Sequence, residues 1–128
     1  MRLLLDTHFV LAGVNREMAE RYPLIERLIA ESLTESFVSV ASLWEIAIKS
    51  RLGKLETRIP VEDIPSYLAS AGFTILHIDI PHVITAAEPE PETRDPFDRL
   101  LLAQCQAEGL LLVTIDRALT GHRLAFKF

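Results

Sequence analysis

The chain has 128 residues, 49% of them hydrophobic, which is enough for one buried core and too little for two domains. A net charge of −5 argues against gripping a polyanion by bulk electrostatics, and a single cysteine, Cys105, excludes an intramolecular disulfide and fits a reducing compartment. Apolar runs such as residues 3–5 and 110–113 fall far below the roughly 18 residues of a membrane span, and Asp6 cuts the first run short before a signal-peptide core can form. The expectation is one cytoplasmic domain over residues 1–128, with no membrane partner.

In chain order, "RLLL" at residues 2–5 is a short apolar run closed by Asp6 and predicts a buried strand. "PLIERLIAESL" begins at Pro23, a residue suited to a first helical position, and predicts a helix over residues 23–33. A second strand is expected at residues 36–40, followed by a helix over "SLWEIAIKSRLG" that Gly53 closes. "VEDIPSYLASAG" predicts a helix up to Gly72, delayed or kinked by Pro65. Strands at 73–78 and 110–114 flank "DPFDRLLLAQCQAEG", a helix ending at Gly109, and "RLAFKF" at 123–128 alternates enough for a last edge strand. Between them, "AAEPEPETRD" at 86–95 describes an exposed connector. Strands alternating with helices predict an α/β protein: a three-layer α/β/α sandwich around a mainly parallel sheet.

Open parallel sheets bind ligands beyond the carboxyl ends of their strands, where loops and helix starts meet. Asp6 closes the first strand and Asp116 follows the last, so both belong at that edge. Ser42 and Glu45 spell a capping box, so Glu45 is either a helix cap or a third acid of the same edge. Asp95 before Pro96 is a good N-cap, which accounts for it almost fully. Asp98, flanked by Phe97, Leu101 and Leu102, is less well explained by helix initiation alone. Asp6, Glu45, Asp98 and Asp116 in one cleft would repel one another and raise each other's pKa unless a cation joined them. All-oxygen ligation points to Mg²⁺, with Mn²⁺ as the alternative, rather than Zn²⁺.

The stretches "LLLDTH", "SVASLWEIAIKSRLGKL", "RDPFDRLLLAQCQAEG" and "LLVTID" together resemble the PIN-domain ribonucleases, specifically the VapC-type toxins of bacterial toxin-antitoxin pairs, over nearly the whole chain. That resemblance implies a PIN-like sandwich that cleaves RNA with Mg²⁺ or Mn²⁺. It also implies Asp6, Glu45, Asp98 and Asp116 as the acidic quartet, Asp95 as an auxiliary acid, a cognate antitoxin protein and a homodimer. The chain departs from the pattern at Thr93, where many relatives carry His, near Ala12, where they carry Trp, and at Ile115, where they carry a charged residue. These positions concern substrate contacts or packing rather than the quartet.

Within that resemblance, Asp6 and Asp98 would hold the principal ion, with Glu45 and Asp116 completing the set directly or through water. The ion would lower the pKa of a bound water and clamp phosphate oxygens. Basic residues gather at Lys49, Arg51, Lys54 and Arg58 and again at Arg117, Arg123 and Lys127. Lys49, Arg51 and Lys54, beside Glu45, are candidates for gripping RNA phosphates, against the plainer role of a solvated helix face. His8 suggests packing or hydrogen bonding, Thr7 and Thr114 could orient the neighbouring acids, and Trp44 among apolar neighbours suggests core or interface rather than a base-stacking platform. Rival readings are a phosphotransferase opening on an Asp nucleophile, whose second Asp is here replaced by His8, and a receiver-like module. Two more keep the family: a non-toxin PIN nuclease in RNA processing, and a catalytically silent PIN-like binding module.

Overall fold

A computed structural model describes all 128 residues. Its centre is a four-stranded sheet, ordered β3-β2-β1-β4, in which every neighbouring pair is parallel. The strands are β1 (Arg2–Leu5), β2 (Glu35–Ser39), β3 (Thr74–Leu76) and β4 (Leu111–Val113). Side chains on successive strand residues point to opposite faces. Leu3 and Leu5 accordingly enter one core with Phe9, Val10, Ile25, Ile64 and Leu68. Leu4 enters another, with Leu101, Leu102, Cys105 and Leu112. Two cores on the two faces of one sheet make the three-layer α/β/α sandwich. Burial leaves Cys105 fully enclosed and pushes its thiol pKa up, so it is an inert core side chain.

The helices are α1 (Thr7–Val14), α2 (Met18–Arg21), α3 (Pro23–Ala30), α4 (Val40–Arg51), α5 (Ile64–Ser70), α6 (Ile80–Ile84) and α7 (Pro96–Glu108). The chain steps from β1 outward through β2 to β3, then returns to place β4 on the free side of β1. This reversal lies between β1 and β4, and the crevice of such a sheet opens at the carboxyl ends beside it. α4 crosses this edge: its Ala41 belongs to one core and its Ile46 to the other. It therefore packs against α1 on one side and α7 on the other.

Several sequence expectations shift against this frame. The 23–33 helix stops at Ala30, and α4 starts at Val40, capped by Ser39, whose hydroxyl accepts from the Ala41 N–H at 3.0 Å. Ser42 is thus a buried residue inside the helix, and the Ser42–Glu45 capping box does not form. Pro65 sits in the first turn of α5, where its missing N–H leaves nothing unpaired, and the helix starts only at Ile64 after a 3-10 turn at Val61–Asp63, which is the delay expected of it. Instead of an edge strand, residues 123–128 make one β-bridge, Leu112 with Ala125, extended by hydrogen bonds from Leu112 N to Leu124 O and from Phe126 N to Leu112 O. Helices α1, α2 and α6 had not been expected. α1 is apolar on several sides, burying Phe9, Val10, Ala12 and Val14, so a helical period does not stand out.

Candidate active site

Asp6 leaves β1 and immediately caps α1, its Oδ1 accepting from the Phe9 N–H at 3.2 Å. The residue is buried, and its other oxygen lies 3.6 Å from His8 Nδ1. Its own backbone N–H is tied to Val113 at the end of β4, 3.0 Å away, which locks the two central strand ends together. Asp116 stands just past β4. Its N–H donates to Thr114 Oγ1 at 3.1 Å, and its Oδ1 accepts from the Ala118 N–H at 2.9 Å, so a tight turn fixes it there.

Glu45 lies in the second turn of α4 and points toward α1. Thr7 Oγ1 donates to its Oε1 at 2.6 Å, and Lys49 Nζ donates to its Oε2 at 2.7 Å. The Thr7 hydroxyl is also 3.1 Å from Ser42 Oγ. Glu45 is thus a member of the acid group, and the alternative role as a mere cap is ruled out. Asp98 comes from the first turn of α7, whose N-cap Asp95 accepts from the N–H groups of Phe97 at 2.8 Å and Asp98 at 3.4 Å.

The electrostatics show that these four elements meet. Asp98 has its carboxyl pKa pushed up to about 6, first by burial and then by the negative charges of Asp95, Asp116, Glu45 and Asp6. Each of the other predicted acids is therefore close enough to disfavour its ionisation. His8 is likewise raised above its ordinary 6.5, here by hydrogen bonding to Asp6 and by the charges of Asp6 and Glu45. Burial and Lys49 oppose that rise. At 3.6 Å the His8–Asp6 contact is long for a hydrogen bond, so charge attraction is its firmer basis. The exposed ring of His8 rules out core packing.

Does this donor set suit a divalent ion? Its chemistry does: carboxylate oxygens only, from four separate chain segments, with one acid held up in pKa by the rest. As the side chains stand, no three His, Cys, Asp or Glu groups are positioned to hold one ion together. The acids have other partners instead: Thr7 and Lys49 donate to the two oxygens of Glu45, and backbone N–H groups donate to one oxygen each of Asp6 and Asp116. Mg²⁺ retains several waters, so one or two direct carboxylates suffice for it.

Of the predicted basic residues, Lys49 is committed to Glu45, whereas Arg51 and Lys54 are exposed and form no ion pair. Sequence reasoning missed a strap. Arg99 donates to Thr93 O at 2.7 Å, Pro91 O at 3.0 Å and Glu90 Oε1 at 2.9 Å. Arg123 and His122 hold the Glu88 and Pro89 carbonyls. The connector at 86–95 is therefore pinned down, and it delivers Thr93 Oγ1 to within 3.5 Å of Asp98 Oδ2. An arginine directly after Asp98 was the available signal. Nor is Trp44 a core residue: it is 59% exposed and meets Phe97 edge to face, with ring centroids 5.6 Å apart.

No curated protein sequence matches the chain. The profile of the PIN domain family, in contrast, matches residues 3–123, a span that takes in Asp6, Glu45, Asp98 and Asp116 together with all four strands but the first residue of β1. A match over nearly the whole length, on a parallel sheet whose acids gather at the strand ends, shows that the chain belongs to the PIN domain family.

Proposed function

We propose that this protein is a metal-dependent endoribonuclease and the toxin component of a toxin-antitoxin pair. PIN domains are generally nucleases, which supports the first half of this reading. The observation that carries it is the carboxyl of Asp98, whose pKa is pushed up to about 6 by burial and then by the charges of Asp95, Asp116, Glu45 and Asp6 around it. Such a cluster is unfavourable in isolation and suited to a hard divalent cation, Mg²⁺ or Mn²⁺. When bound, the ion lowers the pKa of a water and neutralises charge on the phosphate. Asp6 and Asp98 are its principal holders in this reading, with Glu45 and Asp116 completing the shell.

The chain's own residues then divide the work. Thr7 fixes the Glu45 carboxylate, and its hydroxyl keeps Oε1 aimed between α1 and α4. Lys49 compensates part of the negative charge through its pair with Glu45, and its half-exposed side chain exchanges that partner for a phosphate when substrate arrives. Arg51 and Lys54 add further positive charge along the path an RNA backbone would follow.

Purified protein should cleave RNA with Mg²⁺ or Mn²⁺, lose that activity in EDTA, and lose it in Asp98→Asn while the variant keeps its circular dichroism spectrum. Equal cleavage by wild type and variant, or cleavage indifferent to EDTA, contradicts the nuclease assignment. The toxin role rests on the sequence resemblance and predicts that expression of the chain alone arrests growth and that a small antitoxin protein relieves it. Normal growth, with RNA cleavage retained in vitro, would leave a PIN nuclease of RNA processing. A homodimer is part of the same proposal, and sedimentation of the purified chain tests it.

A further inference from the structure

Next to the acid cluster is an aromatic pair that the hydrolytic chemistry does not use. Trp44 precedes Glu45 on α4 and Phe97 precedes Asp98 on α7, and the two rings meet at 68° with centroids 5.6 Å apart. Both rings are therefore carried by helices that each supply an acid to the cluster. Trp44 is 59% exposed, so most of the indole faces solvent. A large aromatic ring left in water beside a charged cleft is costly in hydrophobic terms, and the edge contact from Phe97 holds it in one orientation.

The charge around it decides what suits that face. Residues seven apart on a helix lie on the same side, so Arg51 shares the Trp44 face about 10 Å further along α4. Lys54 follows Gly53, where the chain turns with φ at +71°. Arg51 and Lys54 carry no ion pair and are exposed. An aromatic plane, an unpaired cation on the same helix face with a second just past the helix end, and an acid cluster one residue away together match a ligand that is both planar and polyanionic. An apolar protein segment would match the ring but leave the cations without partners.

We infer that Trp44, braced by Phe97, is a stacking platform for an unpaired base of single-stranded RNA next to the bond that is cut, with Arg51 and Lys54 taking phosphates of the same strand. This deepens the nuclease reading and rests on it. Bases in a duplex are stacked on one another and cannot use such a plane, so the platform selects single strands.

Trp44 is the only tryptophan in the chain, so its fluorescence reports on this one site. The experiment titrates the full-length Asp98→Asn variant, which leaves RNA uncut, with a short unpaired RNA and with the same sequence as a duplex, in Mg²⁺ buffer. Single-stranded RNA should quench the emission saturably, the duplex should not, and adding Trp44→Ala should weaken single-strand binding roughly tenfold, read by a label on the RNA. Trp44→Phe, which keeps a ring, should recover most of the affinity. Tight binding of single strands without quenching, or with the same affinity in Trp44→Ala, overturns the platform while wild-type cleavage keeps the nuclease reading intact. Emission that changes on dilution of the protein alone and not with RNA overturns it too, by showing that another copy covers the ring. Failure of the wild type to bind or cut any RNA sinks the nuclease reading and the platform with it.

Discussion

At the scale of single residues, Asp98 concentrates the physics of the site. Its carboxyl is half buried and has other acids around it, so its pKa of about 6 stands well above the ordinary 3.8. In the unfolded chain those neighbours are distant and the usual value returns. Between pH 4 and 6 the folded protein therefore holds a proton that the unfolded chain has released, and stability falls as pH rises through this window. His8 acts in the same direction: its raised pKa contributes stability that is present below 6.5 and is lost as pH rises through the folded value. Urea unfolding of metal-free protein should show a midpoint that declines from pH 4 to pH 6, and Asp98→Asn should flatten that decline. A midpoint that rises over this range in both proteins would show that Asp98 is not crowded by charge. Asp6 and Asp116 were legible in the sequence because a carboxylate at the end of an apolar run can be placed by strand geometry alone. Glu45 was ambiguous there, since Ser42 three residues before it spells a capping box, and only the observed helix start at Val40 removes that reading.

At the scale of elements, α7 shows how one local structure serves two ends. Asp95 satisfies the N–H groups of Phe97 and Asp98, Pro96 occupies the first turn, and Gly109 ends the helix in the left-handed conformation at φ +68°. The same N-cap also exerts the largest effect of the negative charges acting on Asp98. Asp95→Ala should therefore cost about 1 kcal/mol of stability through the lost cap and at the same time lower the Asp98 pKa, two effects separable by urea unfolding and by NMR titration. Loss of stability with no change at Asp98 would confine Asp95 to capping. The boundaries of α7 were legible because "DP" and "EG" bracket it with explicit start and stop chemistry. The connector before it is mostly exposed, as its prolines and acids describe, but its fastening was not legible. Two arginines and a histidine, Arg99, Arg123 and His122, strap it down, and pairing over that separation depends on tertiary packing.

Across the whole molecule, the site follows from strand order. Because β1 lies between β2 and β4, its end is the point where the connections diverge, and α4 is led across that end between α1 and α7. Four acids distant in the chain thereby reach one crevice without any of them being close in sequence to more than its own helix partner. The alternation of strand and helix made the parallel sandwich legible. The Thr7–Glu45 hydrogen bond and the Trp44–Phe97 contact were not, since both require knowing which helices touch.

Crowded carboxylates that call for a divalent cation are the centre of this account, and NMR titration of the Asp98 carboxyl carbon, with and without Mg²⁺, tests them most directly. The account predicts an apparent pKa near 6 in metal-free protein, and a fall below the ordinary carboxylate range when Mg²⁺ is added. An ordinary pKa without metal, or one that Mg²⁺ leaves in place, would contradict it.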